Sequence, residues 1–211
     1  LPDSLINKPT GITVSDIGCT GATLNWVNNN VTGVTGNRIQ HYVDGNWITD
    51  AYISSGSTSY NLTGLSVTTS YKYRVAAYND TYNAIGASVE FDTLDPTPFN
   101  LDATINNITA KFTWEINDSG YGTQIVPEIK IIGASVWTSG NTLAKNATGY
   151  TFTGLSWSTQ YAVRIVRFGS EYPSEEYEFW TRIPDAPELS GNTISNTVNL
   201  VWTDPDNINE H

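Results

Sequence analysis

The sequence predicts an all-β chain of tandem seven-stranded Greek-key sandwiches, two complete and a third begun. Three observations carry that prediction: an internal repeat of about ninety residues, short alternating apolar runs punctuated by turn residues, and the scarcity of helix formers in 211 residues. Glycine (17), proline (9), aromatics at 12% and charged residues at only 15% describe a chain of strands and turns.

The repeat is read from landmarks that keep one period. Tyr60-Asn-Leu-Thr-Gly-Leu65 and Tyr150-Thr-Phe-Thr-Gly-Leu155 lie 90 residues apart, as do Ser70-Tyr-Lys-Tyr-Arg-Val75 and Gln160-Tyr-Ala-Val-Arg-Ile165. Upstream, Ala22 to Trp26 matches Ala110 to Trp114 and again Thr197 to Trp202, with the tryptophans 88 residues apart each time. Pro9, Pro98 and Pro187 open the copies, and Leu94-Asp-Pro-Thr-Pro98 and Ile183-Pro-Asp-Ala-Pro187 fall where linkers belong. Proline stiffens such joints. The expected divisions are a linker at 1–8, sandwiches at 9–95 and 96–184, and the start of a third sandwich at 185–211.

In the first copy, alternating or β-branched runs predict strands near 11–17, 22–27, 37–44, 47–53, 58–63, 70–78 and 88–93. The second copy repeats the count near 100–106, 110–116, 124–132, 135–138, 149–153, 159–168 and 175–181, separated by turns bearing Gly or Asn. Seven short strands in about ninety residues suit two packed sheets better than a barrel or a helical array. Tyr71 and Tyr161 each follow a Gly-Leu pair by six residues and open a strand, the placement of a tyrosine corner whose hydroxyl holds a backbone group.

On Trp26, Trp114 and Trp202, and on the units Leu65 to Tyr71 and Leu155 to Tyr161, the chain resembles the fibronectin type III family, an immunoglobulin-like sandwich. The resemblance runs over essentially the whole length. It implies that the tryptophan lies in the core and that the leucine and tyrosine lock the corner, so these residues hold the fold rather than perform a function. The adhesive Arg-Gly-Asp tripeptide of that family is missing from the corresponding loops, Asn79 to Gly86 and Gly169 to Ser174.

Charge and residue inventory exclude several function classes. A net charge of −11 repels phosphate backbones and anionic headgroups, and no run approaches the roughly 18 apolar residues of a spanning helix, so neither nucleic acid nor membrane insertion is expected. Cys19 has no cysteine to pair with, which leaves packing to hold the sandwiches. Only His41 and His211 exist, too few for histidine triads or multi-histidine metal sites, and His41, alternating with Ile39 and Val43, reads as a packing or surface residue. A Cys19–His41 dyad would need an open, positive pocket around the thiol. The acidic groupings Glu175-Glu176, Asp44 with Asp50, and Asp204-Pro-Asp206-Asn207 read as solvated surface, with calcium at the last the lesser reading. Gly33-Val-Thr-Gly36 reads as a turn. No catalytic residue, cofactor or metal site is expected.

Aromatic rings remain as candidate contacts. Trp47 and Trp137 recur 90 residues apart after the third strand, so the repeat itself asks for a ring there. Trp157 and Trp180 stand where the first copy has Val67 and Asp92, so repeat architecture does not explain them and they are the better candidates for a partner or glycan. Six glycosylation patterns occur, at Asn30, Asn61, Asn79, Asn107, Asn117 and Asn146, about the number that chance arrangement gives.

The expected function is a non-catalytic spacer and display module, extracellular or on a cell or virion surface, with composition leaning toward bacterial surface and bacteriophage virion proteins. The alternative is a glycan-binding or receptor-binding accessory module of an extracellular carbohydrate-active enzyme. Expected partners are neighbouring repeats of a longer chain, a surface glycan or protein receptor, and a larger assembly. The chain begins at Leu1 without a leader and reads as a piece of something longer. Two strands cannot bury a sandwich core, so residues 188–203 are expected to be covered by further chain or by another chain.

Overall fold

The computed structural model describes residues 6–29, 32–118, 120–168, 171–183, 188–194 and 197–203. Among them the regular structure is entirely strand. The chain divides into two units, Leu1–Thr97 with Ile116–Thr123, and Pro98–Glu115 with Gln124–His211.

The first unit carries β1 (Thr10–Ser15), β2 (Gly21–Val27), β3 (Gly36–Val43), β4 (Asn46–Ser54), β5 (Ser59–Thr63), β6 (Ser70–Tyr78) and β7 (Asn83–Asp92). They form two antiparallel sheets, β1-β2-β5 and β4-β3-β6-β7, so the chain changes sheet after β2, β4 and β5. Alternation decides what lies inside. In β2, Ala22, Leu24 and Trp26 are buried while Thr23, Asn25 and Val27 face outward. Leu24, Ile39, Leu62, Val75 and Phe91 meet Trp26 in one core. Burying each such side chain contributes roughly 1.5–3 kcal/mol.

The second unit carries β8 (Phe99–Asn106), β9 (Thr109–Glu115), β10 (Gln124–Ile131), β11 (Thr138–Ser139), β12 (Leu143–Ala144), β13 (Gly149–Phe152), β14 (Gln160–Arg167), β15 (Tyr172–Pro173) and β16 (Tyr177–Trp180). One sheet is β13-β9-β8; in the other, β10 and β14 lie at the centre with the short strands at their edges. Phe112 is its pivot, meeting Phe152, Tyr177 and Phe179 edge-on with ring centroids 5.5–6.1 Å apart.

Two predicted strands of this unit differ from expectation. The run expected at 135–138 is replaced by the two-residue strands β11 and β12. Pro127 explains the gap: its carbonyl accepts the Gly140 N–H at 2.8 Å, and a proline has no N–H to return toward that edge. The last strand, expected at 175–181, is shortened to β16, with the two-residue β15 before Ser174. The Ser174 hydroxyl accepts the Ile165 N–H at 2.9 Å, where a backbone carbonyl would continue the ladder. In the first unit the last strand instead extends further back than expected, to Asn83.

Two features recur in both units. The indole N–H of Trp26 donates to Asn28 at 3.1 Å, and that of Trp114 to the Ala147 carbonyl at 2.9 Å, so each buried ring is satisfied. The corner is built from more than its tyrosine. The Tyr71 hydroxyl accepts the Ser66 N–H at 2.8 Å, and the Tyr161 hydroxyl accepts the Ser156 N–H at 3.0 Å. Beside them the Thr93 hydroxyl donates to the Ser66 carbonyl and accepts the Thr69 N–H, and Thr181 does the same with Ser156 and Thr159. Both threonines are buried.

Where a third copy is expected, β17 (Glu188–Ile194) pairs antiparallel with β18 (Thr197–Thr203), with Leu189 opposite Trp202. Leu200 and Val201 are both exposed although adjacent residues point to opposite faces. Pro187, the Asp204 to Asn207 segment, Asn30, Gly169, Ser170 and His211 lie outside the described residues.

Replacing Tyr71 or Tyr161 by Phe removes one acceptor and leaves a backbone N–H without its partner. Each substitution is expected to cost about 0.5–1.5 kcal/mol in urea denaturation. A cost below the error of the measurement for both would contradict the corner geometry.

Candidate functional site

The outer face of the four-stranded sheet in the first unit places Trp47 under a cation. The Arg74 guanidinium lies 4.0 Å from the Trp47 ring centroid, held by its Nε donating to Gln40 at 3.0 Å, while Gln40 donates onward to Thr49. Burial and the neighbouring Arg38 charge lower the Arg74 pKa. The second unit repeats the arrangement with Trp137. Arg164 lies 4.5 Å and Lys130 4.2 Å from that ring centroid, and Arg164 donates from Nε and from its terminal nitrogen to Glu128, both at 2.7 Å. Lys130 pairs with Glu176 at 3.2 Å. Both recurring tryptophans are therefore engaged by cations of their own unit.

Trp157 and Trp180 are placed differently. Trp157 is half-buried in the corner loop, where its carbonyl accepts the Thr159 hydroxyl. Trp180 lies on β16 with 59% of its surface exposed. Ser70 pairs with Asp92 and Gln160 with Trp180, so Asp92 and Trp180 occupy one repeat position.

His41 has a more specific setting than a packing or surface role requires. Its Nδ1 lies 2.5 Å from the Asp50 carboxylate, and both side chains are about a quarter exposed. Tyr73 lies beside the same carboxylate, and burial, followed by the Asp50 charge, pushes its phenol well above the usual range. A β-bulge between Ile39 and Gln40 lets the edge strand bring Asp50 to His41. The three groups line a groove of about 300 Å³ together with Tyr60, Leu65 and Tyr71. Sequence spacing paired Asp44 with Asp50; the structure brings Asp50 to His41 and Tyr73 instead. Cys19 is fully buried, with its N–H donating to Asp118 at 2.9 Å, which is not the open setting that a nucleophilic thiolate uses.

Comparison with known proteins fits this architecture. Residues 7–92 match the family model of the fibronectin type III domain, which is generally a non-catalytic structural or adhesion module of larger proteins. No curated protein matches the chain. Among solved structures it is similar to a two fibronectin type III domain segment from chicken tenascin, at 19% identity over 82% of this chain and 98% of that one, with a TM-score of 0.43. It is also similar to the FN1–FN3 domains of chicken CNTN1, at 18% identity over 93% of this chain and 75% of that one, with a TM-score of 0.40. The fold is that of all-β sandwich repeats.

The two tryptophan sites differ in their anchor. Arg74→Ala removes a stacked cation and is expected to cost about 0.5–1 kcal/mol. Arg164→Ala also strands the half-buried Glu128 carboxylate and is expected to cost about 1.5–3 kcal/mol. Urea midpoints read by tryptophan fluorescence give the order; equal midpoints would contradict it.

Proposed function

We propose that the chain is a non-catalytic spacer and display segment of a larger extracellular protein, on a cell surface or a virion. The observation that carries this reading is that each repeat buries its own rings, Trp26, Tyr73 and Phe91 in the first and Phe112, Trp114 and Phe179 in the second, and that each outer tryptophan is stacked by its own arginine. Proline-bearing linkers at Leu94–Pro98 and Ile183–Pro187 suit a string of modules that holds another part at a distance. The match of residues 7–92 to a family of structural and adhesion modules supports the same reading. Neighbouring repeats of a longer chain and the assembly that contains it are the proposed partners, with composition leaning toward bacterial surface or bacteriophage virion proteins.

A second reading, an accessory module that binds glycan or a protein receptor beside a carbohydrate-active enzyme, is favoured by one observation. Trp180 presents a large exposed ring at a position where the first repeat has a carboxylate.

A spacer built from self-contained repeats unfolds one module at a time under load. Single-molecule pulling on the full chain is expected to give two main events, each releasing about ninety residues, or roughly 300 Å of extended chain. One cooperative event spanning both repeats, or hydrolysis of any glycan by this chain, would overturn the proposal.

A further inference from the structure

The second repeat provides an internal control for the His41 groove of the first. Arg74 lies opposite Gln40 and Arg164 opposite Glu128, so Gln40 and Glu128 share a position. On the next rung His41 faces Tyr73, and in the second repeat Ile129 faces Val163. Across the edge, Gln40 faces Thr49 and Glu128 faces Ser139, which sets Asp50 where the second repeat has Gly140. The trio His41, Asp50 and Tyr73 thus stands where its sister uses Ile129, Gly140 and Val163.

The fold does not need this trio. In the second repeat Ile129 and Val163 are buried, and a Cβ on Gly140 would come within 2.9 Å of the Tyr150 hydroxyl, so that place is packed by a ring. Placing a carboxylate and a buried phenol at a position that accepts apolar groups costs desolvation, and apolar replacements of such networks are often neutral or stabilising. Polar groups that break the local packing rule concentrate at binding sites.

The chemistry of the groove selects its occupant. A fixed carboxylate disfavours anions. Asp50 has about four lone-pair positions, of which His41 takes one, leaving acceptors for neutral hydroxyl donors. A cationic ligand would meet a carboxylate already hydrogen-bonded by an imidazole. Tyr60 and Tyr71 supply partly exposed flat rings, and about 300 Å³ lies at the small end of ligand pockets. A ring with an apolar C–H face and hydroxyls on its edge meets each of these conditions. We infer that the groove of the first repeat, at His41, Asp50, Tyr60 and Tyr73, binds a single neutral sugar ring. This goes beyond the spacer reading, and it can fail while two-step unfolding under load persists.

The test is NMR titration of the ¹⁵N-labelled full chain with the methyl glycosides of glucose, galactose, mannose and N-acetylglucosamine, and separately with glucuronate and tetramethylammonium. At least one neutral glycoside is expected to shift the amides of Asp50, Gly64 and Tyr73 saturably, leaving those of Gly140 and Val163 unmoved. Asp50→Asn should weaken that binding about tenfold or more. Tyr60→Phe, which removes only a hydroxyl, provides the same readout should Asp50→Asn unfold the repeat. The combined variant His41→Ile, Asp50→Gly, Tyr73→Val, copied from the second repeat, should abolish it. The inference is overturned if no neutral glycoside shifts these amides, if only glucuronate or tetramethylammonium does, if the shifts centre on Trp180, or if a folded Asp50→Asn binds as the parent does.

Discussion

Each sandwich depends on one corner in which a tyrosine hydroxyl accepts a backbone N–H from five residues upstream. In the first unit Tyr71 holds Ser66, and in the second Tyr161 holds Ser156. A chain with a single cysteine has no disulfide to tie the two sheets of a repeat together, so the crossing from one sheet to the other must be fixed by packing and hydrogen bonds. The corner does this because its tyrosine also stacks in the core: Tyr71 lies against Phe91 and Tyr161 against Phe179, at ring centroids of 6.0 and 5.8 Å. One side chain therefore couples loop geometry to core packing.

From that fixed corner the rest of each repeat follows by alternation. Leu24 and Trp26 face Val75 and Phe91 in the first unit, and Phe112 and Trp114 occupy the matching strand in the second. Outside the core, Arg74 stacks on Trp47 and Arg164 on Trp137. These use the same scaffold with different anchors, an amide in one case and a carboxylate in the other. The fold is thereby duplicated while the surface is free to diverge, and the His41, Asp50 and Tyr73 cluster is where divergence reaches into the sandwich.

Much of this was legible from residue order because period-two alternation and repeated aromatic landmarks are local signals. Trp26 and Trp114, the corner tyrosines and the first six strands of the first copy could be placed that way, whereas its last strand begins at Asn83 rather than near 88. The threonines Thr93 and Thr181 could not, since a threonine in a strand is unremarkable until its hydroxyl is seen bridging Ser66 to Thr69 or Ser156 to Thr159. The His41 to Asp50 contact was hidden by the bulge at Ile39 and Gln40, which shifts the register of the edge strand by one residue. Pro127 broke one strand of the second unit through the loss of one N–H, and the Ser174 hydroxyl takes the Ile165 N–H just ahead of the shortened last strand, events that hydrophobic patterning does not record. As for the candidate site, the recurrence of Trp47 and Trp137 was visible, but the arginines that stack on them, 27 residues away in sequence, were not.

Native-state hydrogen exchange at the amides of Ser66 and Ser156 tests the central claim most directly. Both residues are exposed and lie outside any strand, yet each N–H is committed to a tyrosine hydroxyl. The corner predicts exchange orders of magnitude slower than the free-chain rate, with protection approaching that of Val75 and Ile165 in the core strands. Exchange at the rate of an open loop in both repeats would contradict it.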